Sequence, residues 1–182
     1  MKAKLINQIP GMIEFELDVH EDDRGYFKEN FQKAKLVELG LPAEFEPIQN
    51  NISYNRDKGV TRGLHAEPWD KYIALGGKGR VFGAWVDLRA GETFGNTYYT
   101  EIDETKAIYV PRGVANSYQT LSEDVVYTYL VNEHWRADAK YAAINLNDSK
   151  SAIPWPIELT ETIISDKDLK NPQLSEIKPM EF

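Results

Sequence analysis

The sequence predicts an all-β fold, a sandwich or jelly roll with a few short helices. Aromatic side chains are frequent, with seven Phe, ten Tyr and four Trp among 182 residues, and such side chains suit the pleated, half-buried surface of a strand. Twelve Gly and nine Pro are scattered rather than clustered, which marks many turns. Between those turns, short runs rich in Val, Ile, Tyr, Phe and Trp recur at strand-like spacing.

Along the chain, residues 13–19 alternate cleanly. Ile13, Phe15, Leu17 and Val19 share one face and Glu14, Glu16 and Asp18 the other, the period of a half-buried strand. Residues 32–41 read as a short helix, closed by Gly40 and stopped by Pro42. Residues 60–65 alternate well enough to be a strand. Residues 72–75 are a strand that runs into the turn Gly76-Gly77-Lys78-Gly79. Further strands are expected over 80–88, 97–102, 107–110 (ending at Pro111) and 125–131. From about Asn145 the chain is more polar and is expected to wrap the barrel, with one short helix near 165–169. There is no internal repeat, low-complexity tract or linker, so residues 1–182 are expected to form one domain.

Composition excludes several function classes. A net charge of -8 argues against general nucleic-acid binding, which needs a basic surface. It leaves room for a small phosphorylated ligand, because a few Arg residues hold a diphosphate. With no cysteine there is no disulfide, thiolate nucleophile or Cys-ligated metal. The N-terminal stretch has neither the apolar core nor the cleavage pattern of a signal peptide. No stretch approaches the roughly 20 apolar residues of a membrane span, so a cytoplasmic location without membrane attachment is expected.

Few residues could carry chemistry. The three histidines, His20, His65 and His134, are far apart in sequence, so no metal site is expected. In a strand over 60–65, Thr61, Gly63 and His65 would face one side and Arg62 and Leu64 the other. Gly63 would leave room for a ligand beside His65. A lone histidine is more often structural than catalytic, and position alone leaves both readings open. Tyr127 and Tyr129 share a strand face, where a tyrosine can act as a general acid or simply pack. Lys71 would stabilise an oxyanion if it points inward; most lysines are solvated. Arg24 and Arg62 suit a phosphate clamp, although Arg24 lies in a turn where a weak surface ion pair is the simpler reading. The amides of Gln49, Asn50 and Asn51 could read the edge of a base.

Taken in order, eight segments along nearly the whole chain make this sequence resemble the dTDP-4-dehydrorhamnose 3,5-epimerase family. They are Asp23-Arg24-Gly25-Tyr26-Phe27-Lys28-Glu29, Gln49-Asn50-Asn51-Ile52-Ser53, Arg62-Gly63-Leu64-His65, Val86-Asp87-Leu88-Arg89, Thr93-Phe94-Gly95, Val110-Pro111-Arg112-Gly113-Val114-Ala115-Asn116, Tyr127-Thr128-Tyr129 and Ser165-Asp166-Lys167-Asp168. The resemblance implies a cupin-type jelly roll (double-stranded β-helix), a homodimer, and a cofactor-free epimerase acting on a dTDP-4-keto-6-deoxy sugar. It implies that His65 is the catalytic base, Asp168 the carboxylate that orients it, Tyr129 the acid on the opposite face of the sugar, and Lys71 the cation near the C4 oxygen. Arg24 and Arg62 match residues near the diphosphate, while Phe27, Glu29, Gln49 and Asn51 match positions lining the nucleotide and sugar pocket. Asn116, His134 and Trp135 occupy further substrate-binding positions. The resemblance also implies that the N-terminal strand, around 13–19, crosses to a partner subunit.

Some positions depart from the commonest family pattern. The usual Gln after the histidine motif is replaced in His65-Ala66-Glu67-Pro68-Trp69-Asp70-Lys71. Asn116 stands where a second pocket histidine is usual, and His134-Trp135 stands for a Tyr-Tyr pair. Two other activities therefore stay open: a C3-only or C5-only epimerase or ketoisomerase on a related sugar, and a non-catalytic cupin that binds a nucleotide sugar.

Overall fold

In a computed structural model describing residues 1–182, the chain forms thirteen strands and two short α-helices. The strands are β1 (Lys2–Leu5), β2 (Ile13–Glu16), β3 (Val19–Asp22), β4 (Gly25–Lys28), β5 (Gln49–Asn55), β6 (Thr61–Ala66), β7 (Lys71–Leu75), β8 (Val81–Asp87), β9 (Thr97–Ile102), β10 (Lys106–Val110), β11 (Val114–Thr120), β12 (Val125–Val131) and β13 (Ala142–Ala143). The helices are α1 (Lys33–Glu38) and α2 (Asp166–Leu169). One sheet has the order β1-β2-β10-β7-β12-β5 and the other β13-β6-β11-β8-β9, with every strand pair antiparallel. β3 and β4 form a separate two-stranded ribbon. The expected jelly roll is present.

Alternation along the strands sorts the apolar side chains into three layers. Ile73 and Leu75 of β7, Ile108 and Val110 of β10, and Val81 and Trp85 of β8 meet between the sheets. The other faces of β2, β7 and β10 carry Phe15, Tyr72, Ala74, Ala107 and Tyr109, which pack under α1 and its flanks through Leu36, Leu41 and Phe45. On the far side, Leu64, Val86, Leu88 and Ala115 are covered by Ile144, Leu146 and Leu174. The stretch after Asn145 thus wraps one sheet, as its composition suggests. β8 is buried along its whole length because both its faces are covered.

Several expectations change. The run 13–19 is not one strand: β2 ends at Glu16, Leu17 N–H donates to the Thr105 carbonyl, and β3 starts at Val19. Within the chain β2 is paired on both sides, with β1 and β10, and Ile13 and Phe15 are buried there. The helix is shorter, with Gln32 as its N-cap accepting from Lys35 N–H, and Gly40 at φ +109 just beyond its end. β1, β4, β5, β11 and β13 do not stand out by apolar alternation.

The largest local correction is at Gly63. Its φ is +124, and a Cβ there would lie 2.3 Å from Ser117 Cβ and 2.7 Å from Ser117 Cα. The Cβ side of Gly63 is filled by β11, although Gly63 itself borders the interior cavity beside His65. The β6–β11 register shifts at this point, with Asn116 opposite His65 but Tyr118 opposite Arg62. Simple alternation fails there, and Arg62 and His65 both border the interior cavity. Gly63→Ala is therefore expected to cost about 3 kcal/mol, from overpacking plus a left-handed backbone. Gly77→Ala, with open space and no positive φ, is expected to change little. Urea unfolding of the two variants checks this.

Candidate active site

The inward faces of the strands change character along their length. Ile73 and Leu75 fill the apolar interior, but Lys71, two and four residues earlier on the same face of β7, does not. Asn116 and Tyr118 on β11, and Tyr127 and Tyr129 on β12, likewise project between the sheets. The result is a cavity of about 490 Å³, bordered by both sheets and by the segment Ile163–Asp168.

His65 and Asp168 meet at this cavity although they are 103 residues apart, with His65 Nε2 2.7 Å from Asp168 Oδ1. Asp168 is buried and sits in the first turn of α2, whose N-cap Ser165 accepts from the Asp168 N–H. Burial by itself would push its carboxyl pKa up. The hydrogen bond and charge of His65, the Gly63 N–H and Ser165 outweigh that and hold it below the ordinary value. A carboxylate fixed in this way can hold an imidazole in one tautomer and stabilise the imidazolium.

On the opposite sheet, burial, then the Glu67 carboxylate and Tyr118, push the Tyr129 phenol up to about 12. Tyr129 is thus a neutral proton donor at ordinary pH. Lys71 Nζ lies 5.4 Å from the centre of its ring. The Lys71 ammonium is buried, forms an ion pair with Glu67, and donates to Asn116 Oδ1 across the gap between the sheets. Glu67 and Asn116, two of the departures from the family pattern, thus converge on one ammonium. Tyr127 stacks on Tyr118 with ring centres 4.0 Å apart. The Tyr127 hydroxyl is buried without a hydrogen-bond partner, and burial raises its pKa well above that of a free phenol.

The remaining expected residues divide into three groups. Arg62 borders the cavity and its Nε donates to Asn55 Oδ1 at 3.0 Å. Gln49, Asn51 and Trp135 line a smaller adjoining cavity that shares Glu67 and Tyr129 with the first. The side chain of His134 borders neither, and its backbone N–H turns onto Glu133. Arg24, Phe27 and Glu29 are also outside both cavities. They belong to the β3–β4 ribbon and its exit, where Arg24 pairs with Asp22, Glu29 pairs with Lys35, and Phe27 is 68% exposed. The expected Arg24–Arg62 clamp therefore does not form within one chain. Lys167, which no motif argument singled out alone, faces the cavity instead. Arg62, Lys71 and Lys167 outnumber Glu67 and Asp168, so the site favours an anion within an acidic protein. No three His, Asp or Glu side chains gather as metal ligands would.

The fold and this cavity define a class: a jelly-roll protein with a His–carboxylate pair on one sheet and a tyrosine and lysine on the other. Residues 7–176 match the model of the dTDP-4-dehydrorhamnose 3,5-epimerase family, and the chain belongs to that family. It is 51% identical over 185 residues to the RmlC homolog of Streptococcus pyogenes serotype M6, spanning 99% of this chain and 93% of that one. The structure of RmlC from Streptococcus suis in complex with dTDP-D-xylose is similar at a TM-score of 0.94 and 52% identity, covering 98% of this chain and 94% of that one. An RmlC of Legionella pneumophila, a 3,5-epimerase in complex with dTDP-4-keto-L-rhamnose, aligns at a TM-score of 0.85 and 29% identity, covering 97% of this chain and 95% of that one. No helix is long and apolar enough to cross a membrane.

The depressed carboxyl of Asp168 links this site to stability. Its contribution is present above the ordinary carboxyl value of 3.8 and is lost as pH falls through the lower folded value. Wild type is expected to be more stable than Asp168→Asn at neutral pH, and the two curves are expected to converge in acid. Urea unfolding of both proteins against pH measures the gap.

Proposed function

We infer that this chain is a cofactor-independent isomerase that converts dTDP-4-keto-6-deoxy-D-glucose to dTDP-4-keto-L-rhamnose, inverting C3 and C5 beside the C4 ketone. The observation that carries the reading is the placement of a carboxylate-held base and an acid on two opposed sheets around one cavity. His65, held by Asp168, removes the proton from the carbon next to the ketone. The C–H electron pair moves into the ring, and the carbonyl π pair moves onto the C4 oxygen. Lys71 stabilises that oxyanion, a contribution of a few kcal/mol. Tyr129 delivers a proton from the other sheet, to the opposite face of the carbon, and so inverts it. The ketone itself is the electron sink. Arg62 and Lys167 supply positive charge for the diphosphate, and Gln49, Asn51 and Trp135 line the adjoining cavity where the nucleoside is placed.

The active unit in this reading is a homodimer. Phe27, Arg24 and Glu29 border neither of the two cavities, and the ribbon pairs with no other strand. Its root is fixed, since Lys28 Nζ donates to the carbonyls of Leu75 and Glu104. The outer edge strand β5 also exposes Ile52 and Tyr54 at 67% and 54%. A second copy covers these residues and lends its ribbon to the substrate pocket.

An NMR time course in heavy water with dTDP-4-keto-6-deoxyglucose tests the reaction. Deuterium is expected at both C3 and C5. Exchange at one carbon alone would make the chain a mono-epimerase, and exchange at neither, with dTDP still bound, would make it a binding protein. His65→Ala is expected to lose roughly a hundredfold or more in turnover with the fold intact. Tyr129→Phe is expected to keep some exchange and lose inversion. Arg62→Ala is expected to weaken dTDP binding about tenfold; unchanged affinity would remove its phosphate role.

The dimer has its own test. Phe27→Ala retains its own His65, and His65→Ala retains its own ribbon. Co-expressed, the two variants are expected to regain activity that neither has alone, because one mixed site contains both side chains. Absence of recovery in a protein that sediments as a dimer would place Phe27 outside the site.

A further inference from the structure

Glu67 is the one carboxylate in the cavity that the acid–base scheme leaves without work. It lies in the turn between β6 and β7, partly covered, and pairs with the Lys71 ammonium. It also borders both cavities. Such a pair is costly to desolvate, and its geometry has to be good to hold. Here Lys71 is fixed from two sides, by Glu67 from the turn and by Asn116 from the opposite sheet.

We propose that Glu67 is a positioning residue: its carboxylate pins the Lys71 ammonium beside Asn116 and shields Tyr129 from that cation, so that Tyr129 stays the neutral acid further into alkaline pH. The shielding is needed because Lys71 Nζ sits over the Tyr129 ring. Burial keeps the phenol neutral at ordinary pH, and an unopposed cation there would lower the alkaline pH at which it ionises and ceases to deliver a proton. The groups facing Tyr129 are Lys71 from β7, Glu67 from the turn, Tyr118 from β11 and Tyr127 from its own strand. His65 and Asp168 face it across the cavity from β6 and α2, with Arg62 directed toward Tyr118. Among the near groups only Glu67 opposes the lysine charge. Glu67 has this role only if the cavity performs the epimerisation described above.

The test uses Glu67→Gln, which keeps the shape and removes the charge, and Glu67→Asp, which keeps the charge. Turnover is followed from neutral to alkaline pH, and dTDP affinity is measured alongside. In Glu67→Gln the alkaline limb of kcat is expected to move down by roughly one to two units, with dTDP affinity retained. Glu67→Asp is expected to restore much of the wild-type limb. A second measurement does not depend on activity. The tyrosinate absorbance of Glu67→Gln minus that of Glu67→Gln/Tyr129→Phe isolates Tyr129, and its titration is expected to shift in the same direction. If wild type epimerises but neither the limb nor the titration moves, Glu67 is structural and the proposal is overturned. If wild type does not epimerise, the epimerase reading itself falls and takes this role with it.

Discussion

The contact on which the site depends is the close approach of β6 to β11 at Gly63. No other residue leaves space for the Ser117 backbone there, and the register shift that follows sets the order of side chains around the cavity. With regular alternation Arg62 would face away from His65. With the shift, both border the cavity and Asn116 lies directly opposite His65. Asn116 then reaches Lys71 on the other sheet, so one irregularity on β6 is felt at the ammonium on β7.

Electrostatically the cavity has two halves. On the His65 side, a nearly buried carboxylate holds an imidazole. On the Tyr129 side, a buried ammonium, a carboxylate and a stacked group of tyrosines surround a phenol whose proton is hard to remove. These environments move the two kinds of group in opposite directions, Asp168 down and Tyr129 up, which separates a charged partner for the base from a neutral acid. Inversion requires such a separation, because one group cannot serve both faces of the same carbon.

How far the sequence showed this depends on what each strand faces. β9 and β12, whose bounds agree with expectation, have apolar residues packed against the interior and read clearly. β11 does not. Its inward positions are Asn116 and Tyr118, turned to the cavity, and its buried Ser117 and Gln119 are satisfied by distant partners. Ser117 Oγ donates to the Ala84 carbonyl, and Gln119 exchanges hydrogen bonds with the backbone of Ile157. Periodicity measures apolar burial, so it loses β11, whereas β12 stays legible because Val125, Tyr127 and Val131 are buried on the face that also carries Tyr129. Asp168 had no local signal at all, and only the family resemblance brought it to His65. The same resemblance also named Arg24, Phe27 and Glu29, which a single chain keeps out of its own pocket. Glu67 and Lys167 were visible as residues inside motifs, but nothing in their spacing reveals that they face the cavity.

Asp168 reaches His65 on a segment with few ties to the sheets, and this couples the site to a particular part of the fold. Ile163 bonds to Gly59 and Thr61 through the backbone in a single parallel bridge. Ser165 then caps α2, whose first turn brings both Lys167 and Asp168 to the cavity. Beyond it, Leu174 anchors the chain among Leu64, Val86 and Leu146. Between these two anchors the carboxylate rides on α2, a helix of four residues, tied down by the Gly63 N–H on Asp168 and by Asn145, which donates to the carbonyls of Leu169, Asn171 and Pro172. Such a helix has no stability of its own. Local opening between Ile163 and Leu174 would take Asp168 from His65 while both sheets remain paired, so the orientation of the base rests on tertiary packing of the wrapping segment rather than on the jelly roll itself.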